Sequence, residues 1–194
     1  MNGLQDQSHG EPPQPISGIE RLDHIGLTVP DLAQAHRFFV EVLGCEYMYS
    51  LGPFQDEGSW MGLHLGVPDT AVMRELHFFR LGGQAIFEIF EYEAPDQVLN
   101  PPLNSDVGGH HLAFYVPDLD SAVAQLDAHG ITVMGRPTSS KGPSEGQRWV
   151  YFLAPWGLQC ELVSYPGGKA FDHDPRRFTK DAVREHSARA DDQV

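Results

Sequence analysis

The chain has 194 residues, enough for one ordinary domain or for two small halves that share a core. A formal net charge of −14, with only three lysines, argues against a nucleic-acid surface and disfavours a polyanionic substrate, leaving Arg74, Arg80, Arg136 and Arg148 for any local anion contact. No apolar run reaches the roughly 20 residues that cross a bilayer, so neither nucleic acid nor membrane is an expected partner.

Residues 1–18 are polar and rich in Pro and Gly, and read as a disordered leader without the basic or apolar regions of a signal peptide. A first unit spans 19–94. Residues 22–29 alternate as a strand; Asp31 then caps a helix to about Leu43, with Leu32, Ala35, Phe38, Phe39, Val42 and Leu43 at helical spacing and Gly44 as the stop. The stretches 45–51, 60–66, 72–81 and 84–92 read as strands, with Gly82-Gly83 as a hairpin turn. Residues 95–108 form a linker. The second unit, 109–165, repeats the order: a strand at 110–116, a helix from Asp118 to about His129 stopped by Gly130, and strands near 131–136, 147–153 and 158–164. Thr138–Gly146 reads as a loop, either plain surface or a lid. Residues 166–194 form a charged tail. Cys45 and Cys160 lie beside apolar strands and are expected as buried free thiols, in keeping with a reducing cytoplasm.

The two units share a motif. His24-Ile25-Gly26-Leu27-Thr28-Val29-Pro30-Asp31-Leu32 recurs without a gap, 87 residues later, as His111-Leu112-Ala113-Phe114-Tyr115-Val116-Pro117-Asp118-Leu119. Duplication of this kind implies two pseudo-symmetric halves packed together. Strand alternation turns His24, Gly26 and Thr28 away from Ile25, Leu27 and Val29, and does the same for His111, Ala113 and Tyr115 against Leu112, Phe114 and Val116. The aliphatic face should meet the helices, which leaves both histidines on the other face. The last strand of each unit places a glutamate among apolar residues, Glu88 in AIFEIF and Glu161 in LQCELV. Burying such a carboxylate unpaired is costly. Singly, each histidine suits a hydrogen-bonded core position and each glutamate suits solvent or an arginine. Together, at matched positions, they suit two His and two Glu around one cation.

The segments LDHIGLTVPDL, FEIFEY, GGHHLAFYVPDLDSAV and YFLAPWGLQCELV resemble the vicinal-oxygen-chelate superfamily, which includes glyoxalase I, methylmalonyl-CoA epimerase, extradiol dioxygenases and bleomycin-resistance proteins. The resemblance spans roughly residues 22–165. It implies an α+β fold of two tandem βαβββ modules forming a cupped mixed sheet around a metal site, in a homodimer. It carries the metal ligands over to His24, Glu88, His111 and Glu161. The turn Ala154-Pro155-Trp156-Gly157 departs from the family, which often has an acidic or amide residue there; Trp156 either lines the site or covers the sheet. The longer form with EIFEY and VSYPGGKAF most resembles cyclitol epimerases of the 2-epi-5-epi-valiolone type.

Two imidazoles and two carboxylates suit one divalent ion, Zn, Ni, Co or Mn rather than Fe, and leave two octahedral positions for adjacent oxygens of a small hydroxyketone. The expected reaction is isomerisation or epimerisation by removal of a proton α to a carbonyl, through a metal-chelated enediolate. By resemblance to glyoxalase-like enzymes Glu161 is the expected base, with Glu88 opposite. His110, Tyr92 and Tyr115 are weaker candidates for proton relay or substrate contact. The alternatives are a glyoxalase I-like lyase, a methylmalonyl-CoA epimerase, an Fe(II) ring-cleaving dioxygenase and a drug-binding resistance protein. A full ligand set disfavours the last, and the extra Glu88 disfavours the dioxygenase.

Overall fold

The computed structural model describes residues 16–178, so most of the leader and residues 179–194 of the tail lie outside the described residues. The first module runs β1 (His24–Thr28), α1 (Leu32–Arg37), β2 (Glu46–Leu51), β3 (Val72–Leu81) and β4 (Ala85–Glu93). The second runs β5 (Leu112–Tyr115), α2 (Leu119–Ala128), β6 (Val133–Ser139), β7 (Arg148–Leu153) and β8 (Gln159–Ser164). Each module closes the same four-stranded sheet, in the orders β1-β4-β3-β2 and β5-β8-β7-β6. β1 with β4 and β5 with β8 are parallel, and the other neighbours are antiparallel.

The helices begin where the Pro-Asp turns place them. Asp31 and Asp118 each adopt an extended backbone and accept a hydrogen bond from the amide three residues on, Gln34 at 2.8 Å and Ser121 at 3.0 Å. Glu91 adds a second acceptor at the start of α1, taking the Leu32 amide at 2.7 Å. Past Arg37 the first helix widens into a π-helical turn, Phe38–Val42, before Gly44 ends it with φ 71°. The widening leaves both Phe38 and Phe39 buried.

The segment expected as a strand at 60–66 is a helical turn, Met61–Leu65. Its apolar residues alternate as in a strand, yet Trp60 stacks on His64 at 4.7 Å, the i to i+4 relation of a helix, while Met61 is buried. Gly66, with φ 68°, terminates the turn. β6 also runs further than expected, to Ser139. A register shift between Met134 and Thr138 admits Gly135 (φ 75°) and Pro137. The remainder of the Thr138–Gly146 segment holds a short 3₁₀ turn, Gly142–Ser144, and Glu145 accepts the Ala170 amide at 2.8 Å. That bond ties it to α3 (Ala170–His173).

One apolar core joins the modules. Val29, Phe38, Phe39, Phe79, Phe87 and Ile89 of the first belong to the same buried cluster as Leu112, Leu119, Phe152, Cys160 and Leu162 of the second. Trp156 packs edge-on against Phe38 with ring centres 5.3 Å apart, and Phe87 lies 6.3 Å from Phe114. Trp156 therefore covers the joint. Cys45 and Cys160 are free and buried, and burial pushes their thiols up to about 11 and about 12.

Candidate metal and substrate site

The shared core uses the helix-bearing face of each sheet, so the opposite faces point outward on either side. On β1 the even positions His24, Gly26 and Thr28 are the exposed ones, as alternation requires. Register then fixes what sits beside them. Gly26 pairs with Glu88 across β1 and β4, and Ala113 pairs with Glu161 across β5 and β8. Each histidine lies two residues before that pair, on the same face. His24 Nε2 approaches Glu88 Oε2 at 3.2 Å, and His111 Nε2 approaches Glu161 Oε2 at 3.1 Å. His111 sits just ahead of β5, so the strand expected to begin at 110 starts two residues later.

The structure thus gathers the four residues as two equivalent pairs. Among the described residues no three His, Cys, Asp or Glu side chains are grouped closely enough to hold one metal ion. Within a single chain the pairs stand back to back across the core.

Each imidazole is also held from behind. His24 Nδ1 lies 3.0 Å from Asp23 Oδ2, and His111 Nδ1 lies 3.3 Å from Asn104 Oδ1. An acceptor at Nδ1 holds a proton there and leaves Nε2 as the atom that donates to the carboxylate or, once deprotonated, binds a cation beside it, the usual arrangement behind a metal-bound histidine. The hydrogen bond to Asp23 raises the affinity of His24 for a proton, with Glu88 adding to it, and the same bond holds Asp23 below the usual carboxylate range. Two ligand atoms on adjacent corners of an octahedron with bonds of ~2.1 Å lie ~3.0 Å apart. Both His–Glu spacings fit such an edge. The donor set therefore suits a divalent ion.

An aromatic ring faces each pair. Phe78 lies opposite Glu88 across β3 and β4, with its ring centre 6.4 Å from His24; Tyr151 lies opposite Glu161 across β7 and β8, 5.2 Å from His111. Burial and the Glu161 charge push the Tyr151 hydroxyl up, against the pull of a hydrogen bond from Asn104. Farther along, at the C-terminal ends of β1 and β4, is a hollow of about 290 Å³ lined by Thr28, Val67, Ala71 and Tyr92. Burial, then Glu88, pushes the Tyr92 hydroxyl up. Tyr115 is half exposed against Tyr165. His110 is exposed and its Nδ1 lies 3.0 Å from the Gly108 carbonyl, away from the pair at His111. Of the candidate anion contacts, Arg74, Arg80 and Arg148 are engaged by Glu93, Glu46 and Asp120.

Asp23, Asn104 and Tyr151 escaped the reading of the sequence. Asn104 comes from the linker, outside the repeat, and carried no signal. Tyr151 carried one: it and Phe78 each stand ten residues before their glutamate.

Comparison with known proteins agrees with this architecture. Residues 23–152 match the family model described as the glyoxalase/bleomycin resistance protein/dioxygenase superfamily. A 2-epi-5-epi-valiolone epimerase from Actinomyces sp. is 48% identical over 160 residues, covering 81% of this chain and 86% of that protein. A glyoxalase family protein from Bacillus cereus shares the fold at 22% identity with a TM-score of 0.63, over 80% of this chain and all of that one. A variant fosfomycin resistance protein from Listeria monocytogenes, complexed with Mn(II) and 1S,2S-dihydroxypropylphosphonic acid, superposes with a TM-score of 0.52 at 20% identity, over 83% of this chain and 99% of that one.

Proposed function

The chain belongs to the glyoxalase/bleomycin resistance protein/dioxygenase superfamily, and on that footing we propose that it is a divalent-metal-dependent epimerase of a small hydroxyketone of the cyclitol class. The observation that carries the reading is the pair of matched His–Glu contacts, each backed by an acceptor at Nδ1. His24 and Glu88 of one copy, with His111 and Glu161 of a second, would hold the ion, Zn, Ni, Co or Mn. The outward direction of both pairs supports a homodimer, because a second copy can bring the two faces together where one chain keeps them apart. When bound, the ion polarises a carbonyl and stabilises the negative charge left when an α-proton departs.

The residues of the chain supply the remainder. Glu161 is 8% exposed, with Cys160 and Leu162 directed into the core on either side of it in β8. A carboxylate so placed is poorly hydrated and suited to taking the α-proton, while Glu88 approaches from the other module and can return a proton to the opposite side. The 290 Å³ hollow beside Tyr92 offers room for a ring of substrate size. Two free buried thiols suit a reducing compartment such as the cytoplasm.

The test mixes two inactive chains, His24→Ala and His111→Ala. Unfolding and refolding them together should restore about a quarter of the wild-type metal content and metal-dependent α-proton exchange in D₂O, because random pairing leaves one intact site in half of the dimers. Neither variant alone should recover. Wild-type protein holding below about a tenth of an equivalent of metal per chain on titration would sink the reading.

A further inference from the structure

The two half-sites match in their ligands and differ in what surrounds them. In the first, His24 is backed by a carboxylate and faced by a phenyl ring; in the second, His111 is backed by an amide and faced by a phenol. The positions correspond strand for strand, since Phe78 and Tyr151 each pair with the glutamate of their module. The duplicated fold thus provides two equivalent positions facing the glutamates, and only the one at Tyr151 holds a hydroxyl.

Asn104 decides where that hydroxyl can point. Its Oδ1 faces His111 Nδ1, which must donate if Nε2 is to keep its lone pair for an ion shared with Glu161. The amide nitrogen of Asn104 is then left to donate toward the Tyr151 oxygen. A phenol that accepts from Asn104 retains its own O–H for another partner. Among the described residues no protein acceptor faces that proton.

We propose that Tyr151 is the hydrogen-bond donor that orients a substrate oxygen in the second half-site, with Asn104 as the positioning residue that keeps its proton outward. The inference rests on the proposed ligand set and extends it. Phe78 offers no hydroxyl at the equivalent position, so the two half-sites differ in what they present to the two oxygens of a chelating substrate. Asn104 thereby serves the histidine and the tyrosine together.

Binding of acetohydroxamate, a two-oxygen chelator, to the metal-loaded protein tests this by calorimetry. Tyr151→Phe should weaken binding about tenfold, the worth of one hydrogen bond, with metal content unchanged. Asn104→Asp, nearly isosteric, should weaken it as much although the phenol remains, because a carboxylate beside the phenol accepts the proton and turns it inward. Tyr47→Phe, on the helix-bearing face, should bind as the wild type does. If Tyr151→Phe and Asn104→Asp bind within twofold of wild type, the inference falls and the function stands. If the variants show the expected affinity pattern but the wild type exchanges no substrate α-proton, the function falls and the inference stands. A chain that takes up no metal overturns both, and metal analysis detects this before any chelator is added.

Discussion

At the scale of single residues, the site depends on one position with no freedom at all. Gly109 closes the turn in which the Leu103 amide donates to Asp106 at 2.9 Å and the Gly109 amide donates to the Asp106 carbonyl at 2.8 Å. A Cβ at 109 would stand 2.1 Å from the Leu103 carbonyl oxygen and 2.8 Å from that of Asp106, so any side chain must push the turn open. Asn104 lies inside the turn and reaches His111 from it. Gly109→Ala should therefore lower metal affinity about tenfold or more by loosening the support behind His111, while the first half-site keeps its geometry. Metal titration of the variant, compared with far-ultraviolet circular dichroism to confirm the fold, checks this. Nothing in the sequence near Gly109 announced the role, because the clash is with backbone that folds back from six residues away.

At the scale of elements, the strands and helices that carry the ligands were readable, and the reason is local. An N-capping aspartate, a helical apolar stripe and a glycine stop mark α1 and α2, while alternation marks β1. The turn at Met61–Leu65 was misread because five residues of alternating apolar character satisfy both periods, and the contact that decides it, Trp60 on His64, is visible only in the structure. The pairing of His24 with Glu88 was legible in direction but not in register. Register decided which residues met, including Tyr151.

The seat of α1 on β3 also carries a pH dependence. His36 Nδ1 lies 3.1 Å from His77 Nδ1, with the His36 ring 5.4 Å from Phe79. Burial, followed by the neighbouring His77, depresses the proton affinity of His36 below its ordinary value. The folded state therefore favours the neutral ring. This contribution is complete above about pH 6.5 and is lost as the pH falls below that value through the lower folded-state one. Denaturant midpoints at about pH 7.5 and about pH 5.5 should differ less for His36→Phe than for wild type. An equal drop in both proteins would place the acid sensitivity elsewhere.

At the scale of the whole molecule, the two sheets share a core but no described strand ladder, so beyond the linker the sheets are joined by packed side chains. Phe39 is central to that joint: fully buried, stacked on Phe79 at 5.1 Å and 6.4 Å from Trp156. Phe39→Ala should cost about 3–5 kcal/mol, the usual loss for a large buried aromatic. Because the cluster is continuous, calorimetry should still show a single transition at a lower temperature. Two resolved transitions would mean that the modules unfold separately.

A joint made only of packed side chains has a consequence for descent. Exchanging Phe38, Phe39 or Trp156 for residues of other shapes would tilt one sheet relative to the other without breaking a backbone hydrogen bond in either. The His–Glu pairs ride on those sheets and would move as rigid units. A lineage built on this plan can change the aperture offered to its substrates by drift in oily residues far from the chemistry, leaving its ligands untouched.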